Sequence, residues 1–372
     1  MDTKLAEDIT HLLDGSGIKI NGPNPWDIKV HDNRFFTRVL TQGSLGFGES
    51  YMDGWWDCDQ LDELIARIMR QNITGKLKPN VQLISSYLKN LVFNPQTKRR
   101  SRKVGKIHYD VGNDLFSRML DKRMAYSCGY WANATSLDEA QEAKLDLICK
   151  KINLQPGQRI LDIGCGWGSF AKFAAEKYGV RVVGITISKQ QVKLGRKLCH
   201  GFPVEIRFQD YRDVNEQFDH IISVGMFEHV GYKNYRTFFK VAHRCLADDG
   251  LLLLHTIGTN ISGVGTDPWI SKYIFPNSML PSALQIAKAH EGLMVMEDWH
   301  NFSADYDKTL MAWYRNFESS WEDIKNQYDE RFHRMWRFYL LACAGVFRAR
   351  KNQLWQIVFS KNGIPGGYKS IR

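Results

Sequence analysis

A glycine-rich turn preceded by an acidic residue is the part of the sequence that most clearly indicates a ligand. Residues 159–163 are predicted to be a short buried strand, and Gly164, Gly166 and Gly168 follow at alternate positions. Glycines at this spacing let the backbone turn tightly and approach a bound molecule. A dinucleotide site would need the third glycine one residue later, and the Asp162 carboxylate would repel a pyrophosphate. Because that carboxylate suits a cationic ligand, we predict that Asp162 and the glycines bind S-adenosylmethionine.

Ionisable side chains follow two later predicted strands. Glu228 and His229 come directly after residues 218–224, and His255 lies near the end of residues 250–257. The carboxyl ends of parallel strands form the ligand-binding edge of such a sheet, so these side chains should meet where a methyl group is presented. Ionisable groups that lie close together at this edge shift each other's pKa values, so their clustering favours a catalytic site over a surface position.

Polar residues after the second and third predicted strands suit the rest of the cofactor. Thr186 and Gln191 stand where many methyltransferases of this fold have an acid that holds the ribose, and the lack of an acid also argues against NAD. Asp210, Tyr211 and Arg212 follow the third strand and could bracket an adenine by a hydrogen bond and stacking.

Alternating strands and helices must position these residues. Strands are predicted at 159–163, 180–187, 204–209, 218–224 and 250–257, with helices at 167–178, 189–199 and 234–246. This order predicts an α/β fold with a doubly wound sheet. Beyond it the sequence predicts an insertion at 258–292, a strand at 293–300, helices at 303–320 and 329–350, and a closing strand at 354–360.

The amino-terminal part differs in pattern from the rest of the chain. Residues 61–73 and 81–92 have the apolar periodicity of helices. The segment 43–56, which is rich in glycine and aromatic residues, is predicted to be a packed loop. We therefore expect three parts: a small, mainly helical domain at 1–95, a basic linker at 96–106 and a catalytic domain at 107–372.

The composition of the chain indicates which kind of partner it binds and where in the cell it works. The chain has 372 residues, 44% of them hydrophobic, and a net charge of +10, which favours an anionic partner. No nucleic-acid-binding signature accompanies the charge, so we expect a membrane surface and no nucleic acid. The seven scattered cysteines show no zinc spacing, so neither disulfides nor a metal is expected. The absence of a signal-peptide pattern and of a membrane-length apolar run predicts a cytoplasmic protein at the inner face of the membrane.

Six motifs together resemble one family, the cyclopropane-fatty-acyl-phospholipid synthases, which are relatives of the mycolic acid cyclopropane synthases. The motifs are residues 106–116, 126–131, the glycine turn, and residues 226–231, 255–258 and 304–307. The resemblance runs from about residue 20 to residue 361 and includes the amino-terminal unit, which the mycolate branch lacks. It implies a Rossmann-like class I S-adenosylmethionine-dependent methyltransferase fold. The implied activity is methylene transfer to the cis double bond of a phospholipid acyl chain, through a carbocation that loses a proton.

The resemblance also implies roles for individual residues. A bound bicarbonate is the base in this family, and its cage matches Cys128, Glu228, His255, the backbone of Ile257, and Tyr306. The matching cofactor contacts are Tyr126, Ser127, Gly164, Thr186, Gln191, Tyr211 and Arg212. Cys343 matches a cysteine described as a nucleophile in some members, but its apolar helix offers no neighbouring base, which favours a core role. Without the ion, Glu228 or His255 becomes the general base.

Other functions stay open. The same carbocation could give a methyl-branched or exomethylene chain, and small-molecule N-methyltransferases share parts of the Glu-His motif. A non-catalytic membrane-surface protein with a retained cofactor pocket is a third alternative, against which Asp162, Glu228, His255 and Tyr306 all argue. Two copies would strengthen binding to a phospholipid bilayer through their effective concentration, so we predict a homodimer.

Overall fold

The computed structural model describes residues 3–72, 96 and 112–372. The helix predicted at 81–92 and, apart from Gln96, the basic linker lie outside the described residues. The elements in chain order are α1 (Thr3–Leu13), β1 (Lys29–Val30), α2 (Arg34–Gln42), α3 (Ser44–Met52), β2 (Trp56–Asp57), α4 (Leu61–Arg70), α5 (Asn113–Met119), α6 (Leu137–Lys151), β3 (Arg159–Ile163), α7 (Ser169–Tyr178), β4 (Arg181–Thr186), α8 (Lys189–Leu198), β5 (Val204–Phe208), β6 (Phe218–Val224), α9 (Tyr232–Cys245), β7 (Leu246–Thr259), α10 (Pro268–Tyr273), α11 (Ala283–His290), β8 (Val295–Asn301), α12 (Ala304–Ile324), α13 (Glu330–Arg348) and β9 (Asn352–Ser360).

The chain forms two compact units, and neither is continuous in sequence. Among the described residues, the first unit comprises 3–72, Gly265–Pro276 and Tyr306–Asn352, and the second comprises Gln96, 112–264, Asn277–Asp305 and Gln353–Arg372. Residues 265–276 and 306–352, which we expected in the catalytic domain, instead belong to the same compact unit as the amino-terminal residues.

A seven-stranded sheet forms the centre of the second unit. Its strand order is β5-β4-β3-β6-β7-β9-β8. The pairs β5-β4, β4-β3, β3-β6 and β6-β7 are parallel, whereas β9 and β8 are antiparallel. The order of the strands reverses at β3 and β6, which is the position where ligands bind in open sheets of this class. The predicted α/β fold with a doubly wound sheet is therefore confirmed.

Helices cover the sheet on both faces, which explains why its inner strands β3 and β6 have apolar residues at successive positions. On β3, Ile160 packs into one hydrophobic cluster and Leu161 into another, and Ile222 and Ile221 of β6 divide in the same way. Successive side chains of a strand point to opposite faces, so a strand buried on both faces shows no alternation with polar residues.

The first unit contains the clearest failure of the sequence prediction. The segment 43–56, predicted to be a packed loop, forms the helix α3 followed by β2. The ring of Phe47 lies 4.3 Å from that of Trp56, and Phe338 of α13 lies 6.1 Å from Phe47, measured between ring centroids. These contacts stabilise a helix whose glycine content disfavours it in isolation.

One glycine of α3 gives a direct test of this packing. A Cβ added at Gly48 would overlap the ring of Trp269, which is buried in the first unit. We expect Gly48→Ala to lower the free energy of unfolding by about 1–3 kcal/mol, since overpacking outweighs the helix preference of alanine. Urea unfolding followed by tryptophan fluorescence measures the effect. Gly263→Ala is the control, because a Cβ there meets nothing within 4 Å. Equal unfolding midpoints for the two variants would contradict the prediction.

None of the helices in the described ranges is both long and apolar enough to cross a membrane.

Candidate active site

The glycine turn lies at the reversal of the sheet, directly after β3. Gly164, Gly166 and Gly168 all have positive φ, at 84°, 56° and 87°. The Gly164 amide donates to the carbonyl oxygen of Ile185 on β4 at 2.9 Å, which ties the start of the turn to the neighbouring strand. Side chains are disfavoured in this backbone conformation, so the turn explains why the sequence has glycine at all three positions.

Asp162 has a buried carboxylate with an unsatisfied oxygen. The residue is 2% exposed, and its Oδ2 atom has no hydrogen-bond partner among the described residues. Burial raises the pKa of this carboxyl to about 7, against the effect of the Lys144 ammonium, which lowers it. A Cβ at Gly166 would meet nothing within 4 Å, so the adjoining backbone is open. An unsatisfied carboxylate beside an open turn fits the cationic part of S-adenosylmethionine.

Of the predicted cofactor residues Tyr126 and Ser127, the second is bonded to helix α6 and the first packs on α5. Lys144 Nζ donates to Ser127 Oγ at 2.7 Å, and Gln141 Nε2 donates to the Ser127 carbonyl oxygen at 2.7 Å. Tyr126 packs edge-to-face against Phe116 at 5.1 Å between centroids. Burial lowers the pKa of the Lys144 ammonium to about 8.

The two polar residues predicted to replace the ribose-binding acid are bonded to each other. Thr186 Oγ1 donates to Gln191 Oε1 at 2.7 Å, and both side chains are buried at the end of β4. The Ser188 amide donates to Thr186 Oγ1 at 3.2 Å, which holds the hydroxyl in place. The structure therefore brings Thr186 and Gln191 together, and their role in holding a ribose stays a prediction.

The residues after β5 form a compact turn. Arg212 donates through Nε and Nη2 to the two carboxylate oxygens of Asp210, at 2.8 and 2.7 Å. Tyr211 packs against Phe238 at 5.8 Å between centroids. Asp210 is buried, and its paired arginine fixes the position of both side chains.

Glu228, His255 and Ile257 meet after β6 and near the end of β7. Val224 pairs with His255 in the parallel register, and the Gly225 amide donates to the His255 carbonyl oxygen at 2.9 Å. Glu228 Oε1 accepts a 2.6 Å hydrogen bond from the Ile257 amide. Thus three of the five predicted cage residues are close together within the second unit.

Two buried atoms of this group are unsatisfied. Glu228 Oε2 and His255 Nε2 have no hydrogen-bond partner in the part of the chain that the structure describes. Burial raises the pKa of Glu228 to about 7, although the Ile257 amide lowers it. Burial, together with the charges of Lys144 and Lys151, holds the pKa of His255 well below its usual value, so the imidazole is neutral at pH 7. Buried polar atoms are almost always paired in native proteins, so these two indicate a bound polar species.

The remaining predicted catalytic residues are Cys128, Tyr306 and Cys343. Cys128 is fully buried in the second unit. Tyr306 belongs to the first unit, where it stacks on Phe347 at 4.4 Å between centroids. Cys343 also belongs to the first unit, and burial, with a smaller effect of Asp267, raises the pKa of its thiol to about 12. A thiol with that pKa is a poor nucleophile near neutral pH.

Three buried polar residues in contact with these groups could not be predicted from the sequence pattern. Gln141 and Lys144 lie on α6, and Gln356 lies on β9 with its Nε2 atom 3.3 Å from His255 Nδ1. In the sequence the first two resemble the solvated face of a helix. Nothing local indicates that the strand carrying Gln356 lies beside β7.

Comparison with known proteins places the chain among lipid-modifying enzymes. Residues 96–357 match the family described as mycolic acid cyclopropane synthetase. The chain is 55% identical over 361 residues to the cyclopropane-fatty-acyl-phospholipid synthase of Escherichia coli strain K12, covering 97% of this chain and 94% of that protein. It is 30% identical over 401 residues to the tuberculostearic acid methyltransferase UfaA1 of Mycobacterium tuberculosis, covering 97% and 91%.

A solved structure shows the same relationship. The mycolic acid cyclopropane synthase CmaA1, crystallised in complex with SAH and CTAB, superposes with a TM-score of 0.65 at 32% identity, covering 70% of this chain and 98% of that one.

Proposed function

Since the chain belongs to the mycolic acid cyclopropane synthetase family, whose members are class I S-adenosylmethionine-dependent methyltransferases, we propose the following activity. The protein transfers a methylene group from S-adenosylmethionine to the cis double bond of an acyl chain in a membrane phospholipid and closes a cyclopropane ring. The similarity of nearly the whole chain to a synthase of that activity carries the proposal. The unsatisfied buried atoms of Asp162, Glu228 and His255 support it, because they suit a cationic cofactor and a polar reaction centre.

The cofactor is assigned to the site around the glycine turn, where the sulfonium would supply an electrophilic methyl group. The Asp162 carboxylate faces the cationic part of the molecule. The residues proposed to hold the rest are Tyr126, Ser127, Gly164, Gly166, Gly168, Thr186, Gln191, Asp210, Tyr211 and Arg212. The Thr186–Gln191 and Asp210–Arg212 pairs are already formed, and α6 already holds Ser127, which reduces the entropy lost when the cofactor binds.

A bicarbonate ion is proposed as the base of the reaction, held by Glu228 and His255. The free Oε2 and Nε2 atoms of these side chains are the observation that supports an ion there. The Ile257 amide already donates to Glu228, so its part is to orient that carboxyl group. Cys128 and Tyr306 join the cage on the family resemblance alone.

Product analysis tests the proposed activity. The purified protein is incubated with methyl-labelled S-adenosylmethionine and vesicles of cis-unsaturated phospholipid, and the recovered acyl chains are examined by proton NMR. We expect upfield ring protons and loss of the olefin signal. Mass alone is insufficient, because a cyclopropane and a methylated alkene each gain one carbon and two hydrogens.

The outcomes separate the alternatives. Label in the lipid without ring protons would indicate a branched or exomethylene product, which the similarity to the tuberculostearic acid methyltransferase makes the second candidate. Label found only in added amines would indicate an N-methyltransferase. No label in any acceptor would leave the non-catalytic membrane protein.

We also propose that the protein works as a homodimer at the cytoplasmic face of the membrane, with residues 1–95 and the linker binding lipid. The net charge of +10 supports this setting, because basic residues near an anionic leaflet contribute roughly 1 kcal/mol each. The same product assay with anionic and neutral vesicles, at low and high salt, should show faster turnover on the anionic ones at low salt. Equal rates in all arms would exclude electrostatic binding.

Tyr306→Phe is expected to lower kcat about 100-fold, the usual effect of removing one hydrogen-bond donor from a reaction centre. Phenylalanine keeps the ring that stacks on Phe347, so the fold should not change. Steady-state kinetics on vesicles measure the loss. Tyr314→Phe, on the same helix, is the control. If both variants turn over alike, the Tyr306 hydroxyl has no part in the reaction.

A further inference from the structure

Gln356 contacts His255 from a strand that the sequence analysis did not connect with the site. The residue is fully buried on β9, which lies beside β7 in the sheet. Its side-chain Nε2 atom is 3.3 Å from His255 Nδ1. The rings of Phe302 and His255 pack edge-to-face, with their centroids 5.9 Å apart and their planes inclined at 68°. The ring is therefore held both by a hydrogen bond and by packing.

The chemistry of the amide determines where the imidazole carries its proton. The Gln356 amide is oriented with its nitrogen toward Nδ1 of His255, and because an amide nitrogen can donate a hydrogen bond but cannot accept one, Nδ1 is the acceptor in this arrangement. A neutral imidazole with an accepting Nδ1 carries its hydrogen on Nε2. Nε2 is also the buried ring atom that lacks a partner within the described ranges, in the same group as Glu228.

We propose that Gln356 is a positioning residue of the ring-forming reaction: it fixes His255 in the Nε2–H tautomer and so presents a hydrogen-bond donor to the reaction centre. His255 in this form has no lone pair on the side of the reaction centre. It therefore binds an anionic or carbonyl oxygen and does not act as the general base. The effect on turnover rests on the proposed function, whereas the tautomer itself does not.

Nitrogen NMR of the protein labelled with ¹⁵N-histidine reads the tautomer directly. The His255 signals are identified by their loss in His255→Asn. We expect a protonated Nε2 and an unprotonated Nδ1 in the wild-type protein near pH 7. In Gln356→Glu, which has nearly the same shape, the carboxylate accepts from Nδ1, so the proton should move to Nδ1 or the ring should become doubly protonated. A wild-type ring protonated on Nδ1 would overturn the proposal.

Kinetics test the consequence for the reaction. Gln356→Leu and Gln356→Glu should each lower kcat about 10- to 100-fold, the usual effect of losing the partner that orients a functional histidine. The KM for S-adenosylmethionine should stay within about threefold, because the cofactor site is unchanged.

Gln353→Leu is the matched control, since this buried glutamine on the same strand accepts from Ser303 and Asn301 instead. A wild-type kcat in Gln356→Glu would refute the positioning role. This test remains valid even if Gln356→Leu does not fold. Absence of ring product with the wild-type protein would refute the proposed function, and the NMR result would still decide the tautomer.

Discussion

Glu228→Gln should lower the rate of ring formation about 100- to 1,000-fold, the range in which acid–base and charge-stabilising groups act. The glutamine carbonyl can still accept from the Ile257 amide, so the backbone stays in place. On the other side, an amide N–H₂ replaces the free Oε2 atom. That change removes both the negative charge and the acidic proton, whichever form the reaction needs. Product formation on vesicles under saturating cofactor measures the loss.

The control for this substitution is Glu297→Gln, in the same unit. Glu297 on β8 also accepts from a backbone amide, that of Ile364, at 3.0 Å. It should retain wild-type turnover. Glu228→Ala gives a second comparison, because it also leaves the Ile257 amide unpaired and should lower the stability by about 1–3 kcal/mol. Turnover of Glu228→Gln within about threefold of wild type would rule out a catalytic role for Glu228.

Asp162→Asn should weaken binding of the cofactor roughly 10- to 100-fold, in line with the energy of a hydrogen bond to a charged group. The asparagine has the same shape, but it cannot neutralise an ammonium or a sulfonium. Calorimetry with S-adenosylhomocysteine, which keeps the ammonium and does not react, measures the affinity at pH 7.5. Asp248→Asn, an exposed carboxylate paired with Lys361, is the control and should bind as wild type does.

The same residue predicts the pH dependence of binding. Burial raises the pKa of Asp162 to about 7, so below pH 7 the carboxyl must lose its proton before it can pair with a cation. The affinity of the wild-type protein should therefore fall as the pH drops below 7, approaching tenfold per pH unit. In Asp162→Asn this dependence should disappear between pH 5.5 and 7.5. An equal slope in both proteins would show that another group controls binding.

The sheet and the cofactor turn could be predicted because local sequence determines them. Strands buried on both faces, such as 159–163, have apolar residues at successive positions, here Ile160 and Leu161, and a turn with three positive φ angles favours glycines. The helix α3 could not be predicted, since its glycines and aromatic residues fit together only with Trp269 and Phe338 from distant parts of the chain. Residues 306–352 joined the first unit for the same reason.

The active site divides in a similar way. Glu228 and His255 could be predicted because each lies at the end of a recognisable strand. Lys144 and Gln356 could not, because their roles depend on which strand or helix lies beside them. Lys144 donates to Ser127, and Gln356 contacts His255 across the sheet. A polar residue buried by tertiary structure has the same local signature as one that is exposed to water.

The discontinuous first unit determines when it can fold during synthesis. Its amino-terminal helices pack against α13, where a Cβ at Gly345 would meet Ile65 of α4 at 2.8 Å. About 280 residues separate these two positions in the chain, and a ribosome adds roughly 5–20 residues per second. The apolar faces of α3 and α4 are therefore synthesised some tens of seconds before α13, against which they pack. Throughout that interval the apolar residues that will contact α13 lack their partner, and a premature stop before α13 would leave an amino-terminal fragment that cannot complete its core.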